Sequence, residues 1–280
     1  MTAFKNAKVS PLNVSYWGDD LAQAQQPEAV VLLHGLFGMA RNLSGVARAL
    51  AAEHCVYGFD LPNHGRSPHS DSMTIESMAE AVLAMLNELK LDRVKILGHS
   101  LGGKVAMRIA LDSPDRLAKL VVADIAPVEY PPRHQTIFAA LDAVDLAACH
   151  SRAEVMALLE TKIDDQAVRQ FILQNLDKQD EHLQWRMNLP AIKQNYPALS
   201  AGLALGDNSQ PFNKPTLFIA GGDSEYIKPE YEAATRALFP SFSYRAIAGA
   251  GHWLHAEKPA LFNRLVGDFF ADSGKLTGFK

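Results

Sequence analysis

The stretch Val94–Gly103, read Val-Lys-Ile-Leu-Gly-His-Ser-Leu-Gly-Gly, constrains this chain more than any other. Val94, Ile96 and Leu97 make the short apolar run of a buried parallel strand. Gly98-His99-Ser100-Leu101-Gly102 fits the pattern G-x-S-x-G, and Lys104–Leu111 is a good helix former with apolar spacing. Strand, sharp turn and helix follow one another without a spacer, the context of a nucleophile elbow. Reversing a strand into a helix over one residue brings the backbones too close for a Cβ on either side, hence the glycines. The apex residue is then held strained, with its side chain above the sheet. Ser100 is that residue. The competing reading, an ordinary glycine-rich turn, is weakened by the strand before it, the helix after it and the extra Gly103.

The rest of the chain alternates in the same way. Ala29–Leu33 is a predicted strand running into His34-Gly35-Leu36-Phe37-Gly38, and Asn42 is placed to cap a helix carrying Leu43, Val46, Ala47 and Leu50. His54–Asp60 is the next strand, ending in the turn-rich Asp60–Ser67. Thr74 can cap a helix whose buried face is Ile75, Met78, Ala79, Val82, Leu83, Leu86 and Leu89. Leu117–Ile125, Pro215–Ala220 and Phe242–Ile247 complete the strand signals, with helices over Tyr231–Phe239 and from Pro259 onward. The expected fold is α/β, a mostly parallel sheet covered by helices on both faces. A weak strand at Val14–Trp17, before the polar turn Gly18-Asp19-Asp20, suits an antiparallel edge hairpin. After Asp124 the alternation stops. Ile137, Leu141 and Val144, then Val155, Leu158 and Leu159, then Phe171, Ile172 and Leu176 mark three amphipathic helical segments, with Trp185, Met187 and Tyr196 adding bulk. No strand is expected there. Residues 127–209 therefore read as a helical lid inserted into a core of residues 1–126 and 210–280.

A serine hydroxyl is a poor nucleophile at neutral pH; it needs a base in hydrogen-bond reach, and the base needs a third group to orient it. Of the ten histidines, His252 follows the last strand in a Gly-Ala-Gly loop able to approach the elbow, and is preferred to His255. Two carboxylates end strands at the same edge, where open parallel sheets place ligand-facing groups. Asp223 follows the strand after the lid, the commoner position, and Asp124 follows the strand after the elbow; on the residues alone either can serve. An oxyanion needs rigid donors, and the backbone N–H groups of Leu101 and Leu36 are positioned to supply them. His34 reads as a brace for that loop. Serine rather than aspartate at the apex argues against attack through a carboxylate. No His, Asp or Glu cluster has metal spacing, the elbow lacks the spacing of a phosphate loop, and no cofactor is expected.

Composition narrows the setting. Net charge is −4, with 21% charged residues, so neither nucleic acid nor an anionic membrane is an expected partner. No apolar run is long enough to span a bilayer, the N-terminus has no secretory apolar region, and Cys55 and Cys149 imply no disulfide framework. The expected location is cytoplasmic. Cys55, in an apolar run, is expected to be buried.

Five stretches carry a resemblance that spans nearly the whole chain: Leu33–Gly38 with Asn42-Leu43, Asn63–Ser67, Gly98–Lys104, Asp124–Tyr130 and Gly249–Pro259. Through them the sequence resembles the α/β-hydrolase serine esterases, in the bacterial YbfF-type branch and the related animal abhydrolase-domain proteins. That resemblance implies Asp124 as the acid partner of His252, with Asp223 second because the family often carries Asn there. It also implies hydrolysis of small-molecule carboxylic esters with short to medium acyl chains, extending in some members to acyl thioesters. Rival readings on the same scaffold are C–C bond hydrolysis, acyl transfer and a ligand receptor. Phe37, Met39, Tyr130, Phe138, Trp185 and Trp253, on active loops or in the lid, are the expected lining of an apolar acyl pocket.

Overall fold

The structure is a computed structural model that describes residues 11–18, 29–180, 182–206 and 209–271. Its frame is a sheet of β1 (Val14–Trp17), β2 (Val30–Leu33), β3 (Val56–Phe59), β4 (Val94–His99), β5 (Leu117–Ala123), β8 (Thr216–Gly221) and β9 (Phe242–Ile247), with β6 (Leu176–Gln179) and β7 (His182–Trp185) lying outside it. The strand order is β1-β3-β2-β4-β5-β8-β9. All pairs are parallel except β1 with β3, where Val14 faces Phe59. β1 is thus the expected antiparallel edge strand, but it pairs with β3 and not with the next strand, so among the described residues it is not part of the expected hairpin; the turn expected at Gly18-Asp19-Asp20 falls partly outside the described residues.

Every residue of β2 is fully buried, as a strand covered on both faces requires. Its side chains alternate between two cores. Val30 and Leu32 join Leu97, Val121 and Ile219 on the face covered by α1 (Ser44–Leu50), α9 (Leu254–Glu257) and α10 (Pro259–Ala271), which contribute Val46 and Leu50, then Leu254, then Phe262, Val266 and Phe270. Val31 and Leu33 join Ile96, Leu120 and Val122 on the face covered by α2 (Ile75–Glu88), α3 (Leu101–Asp112) and α8 (Glu232–Leu238). Thr74 caps α2 as expected, its Oγ1 accepting from the Ser77 N–H at 3.1 Å. Asn42 does not cap α1. The chain enters α1 through a tight turn over Ala40–Leu43, and the Asn42 side chain instead accepts the Met39 N–H at 2.6 Å. Cys55 is half-buried rather than buried, because it precedes β3 beside the exposed Tyr16 of the edge strand.

Between β5 and β8 lie α4 (Gln135–Asp142), α5 (Arg152–Glu160), α6 (Gln166–Leu173) and α7 (Leu189–Ser200). The segment is not strand-free. Between α6 and α7, β6 (Leu176–Gln179) and β7 (His182–Trp185) form an antiparallel hairpin in which Leu176 faces Trp185. Leu176 therefore starts a strand instead of closing a helix. The signal is an alternation of exposed His182 and Gln184 with half-buried Leu183 and Trp185, four residues long and too short to stand out as a period of two. Leu158, expected on a buried face, is exposed, while Val155 and Leu159 carry the contact.

Three polar seams fasten this segment to the sheet. Asn175 Nδ2 donates to the Phe37 carbonyl at 2.7 Å, and Asn42 Nδ2 to Gln174 Oε1 at 2.7 Å. The Asn188 N–H donates to the Asn63 carbonyl at 2.9 Å. Lys104 Nζ donates to the Ser200 and Ala201 carbonyls at 2.9 and 2.5 Å, and Arg108 Nη1 to the Ala204 carbonyl at 2.8 Å. The Asn175 bond is buried on both sides. Replacing Asn175 by Ala leaves the Phe37 carbonyl unpaired, and urea unfolding should show a loss of about 1–3 kcal/mol; an unchanged midpoint would mean the seam carries no stability.

Candidate active site

The elbow is as tight as the sequence demands. β4 ends at His99, Ser100 follows with φ 52° and ψ −117°, and α3 begins at Leu101. A Cβ on Gly98 would lie 2.2 Å from the Gly102 carbonyl oxygen, and one on Gly102 would lie 2.3 Å from the Leu33 carbonyl oxygen. Both contacts are with backbone, so no side-chain shift relieves them. The Ser100 N–H continues the sheet ladder to the Ala123 carbonyl at 2.9 Å. Leu101 is the first residue of α3, where an N–H has no partner within the helix. Leu36 and Leu101 both border a small cavity that reaches Ser100.

His252 and Asp124 converge on this serine. His252 Nε2 lies 3.0 Å from Ser100 Oγ, and Nδ1 lies 2.7 Å from Asp124 Oδ2. A carboxylate only accepts, so Nδ1 carries the hydrogen and Nε2 is left to accept from the serine hydroxyl. Asp124, at φ 51° and fully buried, also accepts from the Gly221 N–H at 3.0 Å and from the Ser224 hydroxyl. Asp223 is exposed at the cavity wall, and its own N–H bonds the Ala250 carbonyl. The structure therefore brings Asp124, not Asp223, to the imidazole.

The His252 loop is held by its main chain. The His252 carbonyl accepts from His99 Nε2 at 2.8 Å, while Glu257 accepts the Gly251 and Trp253 N–H groups at 2.7 and 3.2 Å. Tyr226 stacks on the imidazole at 4.0 Å. None of His99, Ser224, Tyr226 and Glu257 was singled out by sequence reasoning, although each lies within five residues of a residue that was. His34 is the expected brace: its Nδ1–H meets the Gly35 carbonyl at 2.8 Å, and its Nε2 accepts the Leu61 N–H at 2.9 Å. His255 packs edge-on against His99, with ring centroids 4.7 Å apart, and it is His252 that bonds the serine.

A cavity of about 910 Å³ opens beside Ser100 and His252. Of the expected lining residues, Phe37 and Trp253 border it, and Tyr130 borders the small cavity that also reaches Ser100. Met39, Phe138 and Trp185 border neither. Phe138 packs edge-on against Phe37 and Tyr196, Met39 is buried beneath the loop after β2, and Trp185 packs on the core from the hairpin. Ile137, Val168 and Phe171 of α4 and α6 take their place, three apolar residues that helical periodicity alone does not distinguish from core. Among the described residues no group of three His, Cys, Asp or Glu side chains could hold a metal, and no helix is long and apolar enough to cross a membrane.

Comparison with known proteins places this geometry. The family described as alpha/beta hydrolase fold matches residues 28–259. The chain belongs to the α/β-hydrolase family and is a hydrolase. It is 37% identical to Esterase YbfF of Escherichia coli, over 87% of this chain and 93% of that protein. It is 36% identical to the sn-1-specific diacylglycerol lipase ABHD11 of Mus musculus, over 95% and 88%. Among solved structures it is similar to a marine microorganism esterase, with a TM-score of 0.87, 36% identity and coverage of 92% and 99%.

Several histidines around the site are held neutral. Burial first, then the neighbouring His255 and His252, drives His99 well below the usual imidazole range, which suits a ring that donates one N–H to a carbonyl. Burial lowers His64 to about 3, and His134 and His255 to about 4. Their folded values lie below the unfolded one of about 6.5. The unfolded chain therefore binds the extra protons, and stability present above pH 6.5 is lost as pH falls toward 4. One pKa unit is worth about 1.4 kcal/mol, so each group should remove on the order of 1–2 kcal/mol between pH 6.5 and 5. Urea midpoints should fall across that window, and His64→Gln should fall less steeply than the unmodified protein. A flat profile down to pH 5 would contradict the burial argument.

Proposed function

We propose that this protein is a serine carboxylester hydrolase acting on small-molecule esters through an acyl-enzyme, with segment 127–209 as its lid. One observation carries the reading: a continuous hydrogen-bonded relay from Asp124 through His252 to Ser100, beside a cavity walled by Phe37, Ile137, Phe171 and Trp253 together with polar groups such as Arg41, Gln174 and Asp223. The names borne by the relatives, an esterase and a diacylglycerol lipase, support the ester as the bond attacked.

In this reading Ser100 Oγ bonds to the acyl carbon as its proton passes to His252 Nε2. The carbonyl electrons move onto oxygen, where the N–H groups of Leu36 and Leu101 stabilise the charge; one such donor is worth roughly 2.7–4 kcal/mol of barrier. The C–O bond to the alcohol then breaks, and His252 gives its proton to the departing oxygen. Water repeats the sequence in reverse on the acyl-serine, with His252 again the base. Asp124 keeps the imidazole in the accepting tautomer and stabilises the imidazolium. Ser224 and the Gly221 N–H hold Asp124 in turn. No metal or cofactor enters the scheme.

The test is hydrolysis of p-nitrophenyl esters. Ser100→Ala should abolish turnover, and Asp124→Asn should lower kcat by about 10⁴ because the tautomer is lost. Asp223→Asn should stay within a few-fold of the parent, since its side chain is exposed and the imidazole bonds Asp124 instead. A crippled Asp223→Asn beside a near-normal Asp124→Asn would reverse the assignment of the acid. A folded protein inert toward every ester would reject the ester reading.

A further inference from the structure

Two cavities reach Ser100, the large one bordered by His252 and the small one by Leu101. Three residues border both: Ser100, Leu36 and His134. The first supplies the attacking oxygen of the proposed chemistry, and the second a proposed oxyanion N–H. The third comes from the inserted segment, immediately before α4, and no step of that chemistry uses it.

The His134 ring is held on two sides. Phe37, next to Leu36, meets it edge-on at 5.8 Å between centroids, and Tyr196 of α7 meets it at 5.5 Å. Nδ1 lies 2.7 Å from Tyr196 Oη, which also accepts the Arg133 N–H at 3.2 Å. A phenol has one hydrogen to give, and Nδ1 is its acceptor among the described residues. Tyr196 therefore donates to Nδ1. Burial, then the nearby His252 and Arg133, keeps the imidazole neutral at pH 7. A neutral ring that accepts at Nδ1 carries its hydrogen on Nε2. Among the described residues Nε2 has no hydrogen-bond partner, yet it is not one of the sealed polar atoms.

Other polar side chains around the small cavity are engaged. Lys104 Nζ holds the Ser200 and Ala201 carbonyls, and Tyr130 Oη lies between the Ala126 N–H and the Tyr226 carbonyl. Arg133 lies over the rings of Tyr130 and Tyr226 and pairs with Glu225 at 3.4 Å. His134 cannot replace His252 as base, because its open nitrogen already holds a hydrogen. An N–H at that junction can only donate.

We propose that His134 is a third oxyanion donor: its Nε2–H, carried by the inserted segment, bonds the substrate's carbonyl oxygen as that oxygen becomes negative, alongside the N–H groups of Leu36 and Leu101. This role rests on the esterase reading above. The carbonyl oxygen of a resting ester is only weakly negative and gains a full charge in the tetrahedral intermediate, so a fixed donor contributes most there.

Hydrolysis of p-nitrophenyl esters tests the role. His134→Phe keeps a ring against Phe37 and removes the N–H; kcat should fall about 100-fold, the effect of losing one oxyanion donor, with KM within a few-fold. His134→Gln places an amide nitrogen where Nε2 stood and should recover most of the rate. His134→Asn, whose amide stops at the place of Nδ1, should fall as far as His134→Phe. Tyr196→Phe frees the tautomer and should cost less, and adding it to His134→Phe should cost nothing more. A trifluoromethyl ketone forms a charged tetrahedral adduct with an active serine, and its affinity should drop in His134→Phe by the same factor as kcat. A parent-like kcat in His134→Phe, a rise in KM alone, or an unchanged ketone affinity would overturn the proposal while leaving the esterase reading intact. If His134→Phe does not fold, equal kcat for His134→Gln and His134→Asn would overturn it. A folded parent inert toward every ester would remove the esterase reading, and this role with it.

Discussion

The backbone reversal at Ser100 is the constraint on which the molecule depends. A non-glycine residue at positive φ is disfavoured by on the order of 1–3 kcal/mol, and the site contains three of them. Phe37, Ser100 and Asp124 sit at φ 60°, 52° and 51°, just past the ends of β2, β4 and β5. These are adjacent strands in the sheet order. The sheet holds the strain because hydrogen bonding runs one residue beyond the strands: the Ser100 N–H reaches Ala123, and the Asp124 N–H reaches Ile219. The Ser100 and Asp124 side chains thus leave the sheet from points still anchored in it. Packing on both faces, through two separate apolar cores, makes the whole layer resist relaxation at any one of the bends.

The imidazole poses the opposite problem. It arrives on a loop 152 residues away in sequence from the serine, at the outer side of the sheet. Its precision comes from main-chain contacts rather than from a strand. His99, immediately before Ser100, holds the His252 carbonyl, and Glu257 ties down the N–H groups on either side. Because His99 belongs to β4, the imidazole is referenced directly to the strand that presents Ser100. A neutral ring at 99 is required for this, since its other nitrogen faces the tight backbone of Gly35; the lowering of its pKa by burial keeps it so.

The sequence was legible where structure is set by neighbours in the chain. The elbow glycines, the apolar runs of β2, β4, β5 and β8 and the Thr74 cap all report local geometry, and their positions follow within a residue or two. The loop of His252 was legible because a Gly-Ala-Gly stretch after the last strand has few other uses. Choosing between Asp124 and Asp223 was a different matter: both end strands at one edge of the sheet, and only the resemblance favoured the first. The structural difference lies in burial and in donors from Gly221 and Ser224, which are contacts across 97 and 100 residues. The β6–β7 hairpin escaped because four-residue strands carry almost no period. The pocket walls escaped because Phe138 and Trp185 on one hand, and Ile137 and Phe171 on the other, are the same kind of apolar residue in the same segment; only packing tells which face a neighbour and which face space.

The inserted segment and the oxyanion loop form one mechanical unit. Asn175, at the root of the hairpin, binds the Phe37 carbonyl, while Asn42 and Arg41 bind Gln174 next to it. Leu36, whose N–H faces the oxyanion in the proposed chemistry, is the residue before Phe37. At a positive φ, Phe37 has little freedom to absorb a displacement of its own carbonyl. A shift of residues 174 and 175 must therefore be passed to the peptide between Leu36 and its neighbours. On the other side of the serine, Lys104 couples the end of α7 to α3, the helix that begins with Leu101. Both proposed backbone donors to the oxyanion are thus tied, by separate hydrogen bonds, to the segment that covers them. The positions of the two proposed N–H donors therefore depend, through these hydrogen bonds, on where that segment sits.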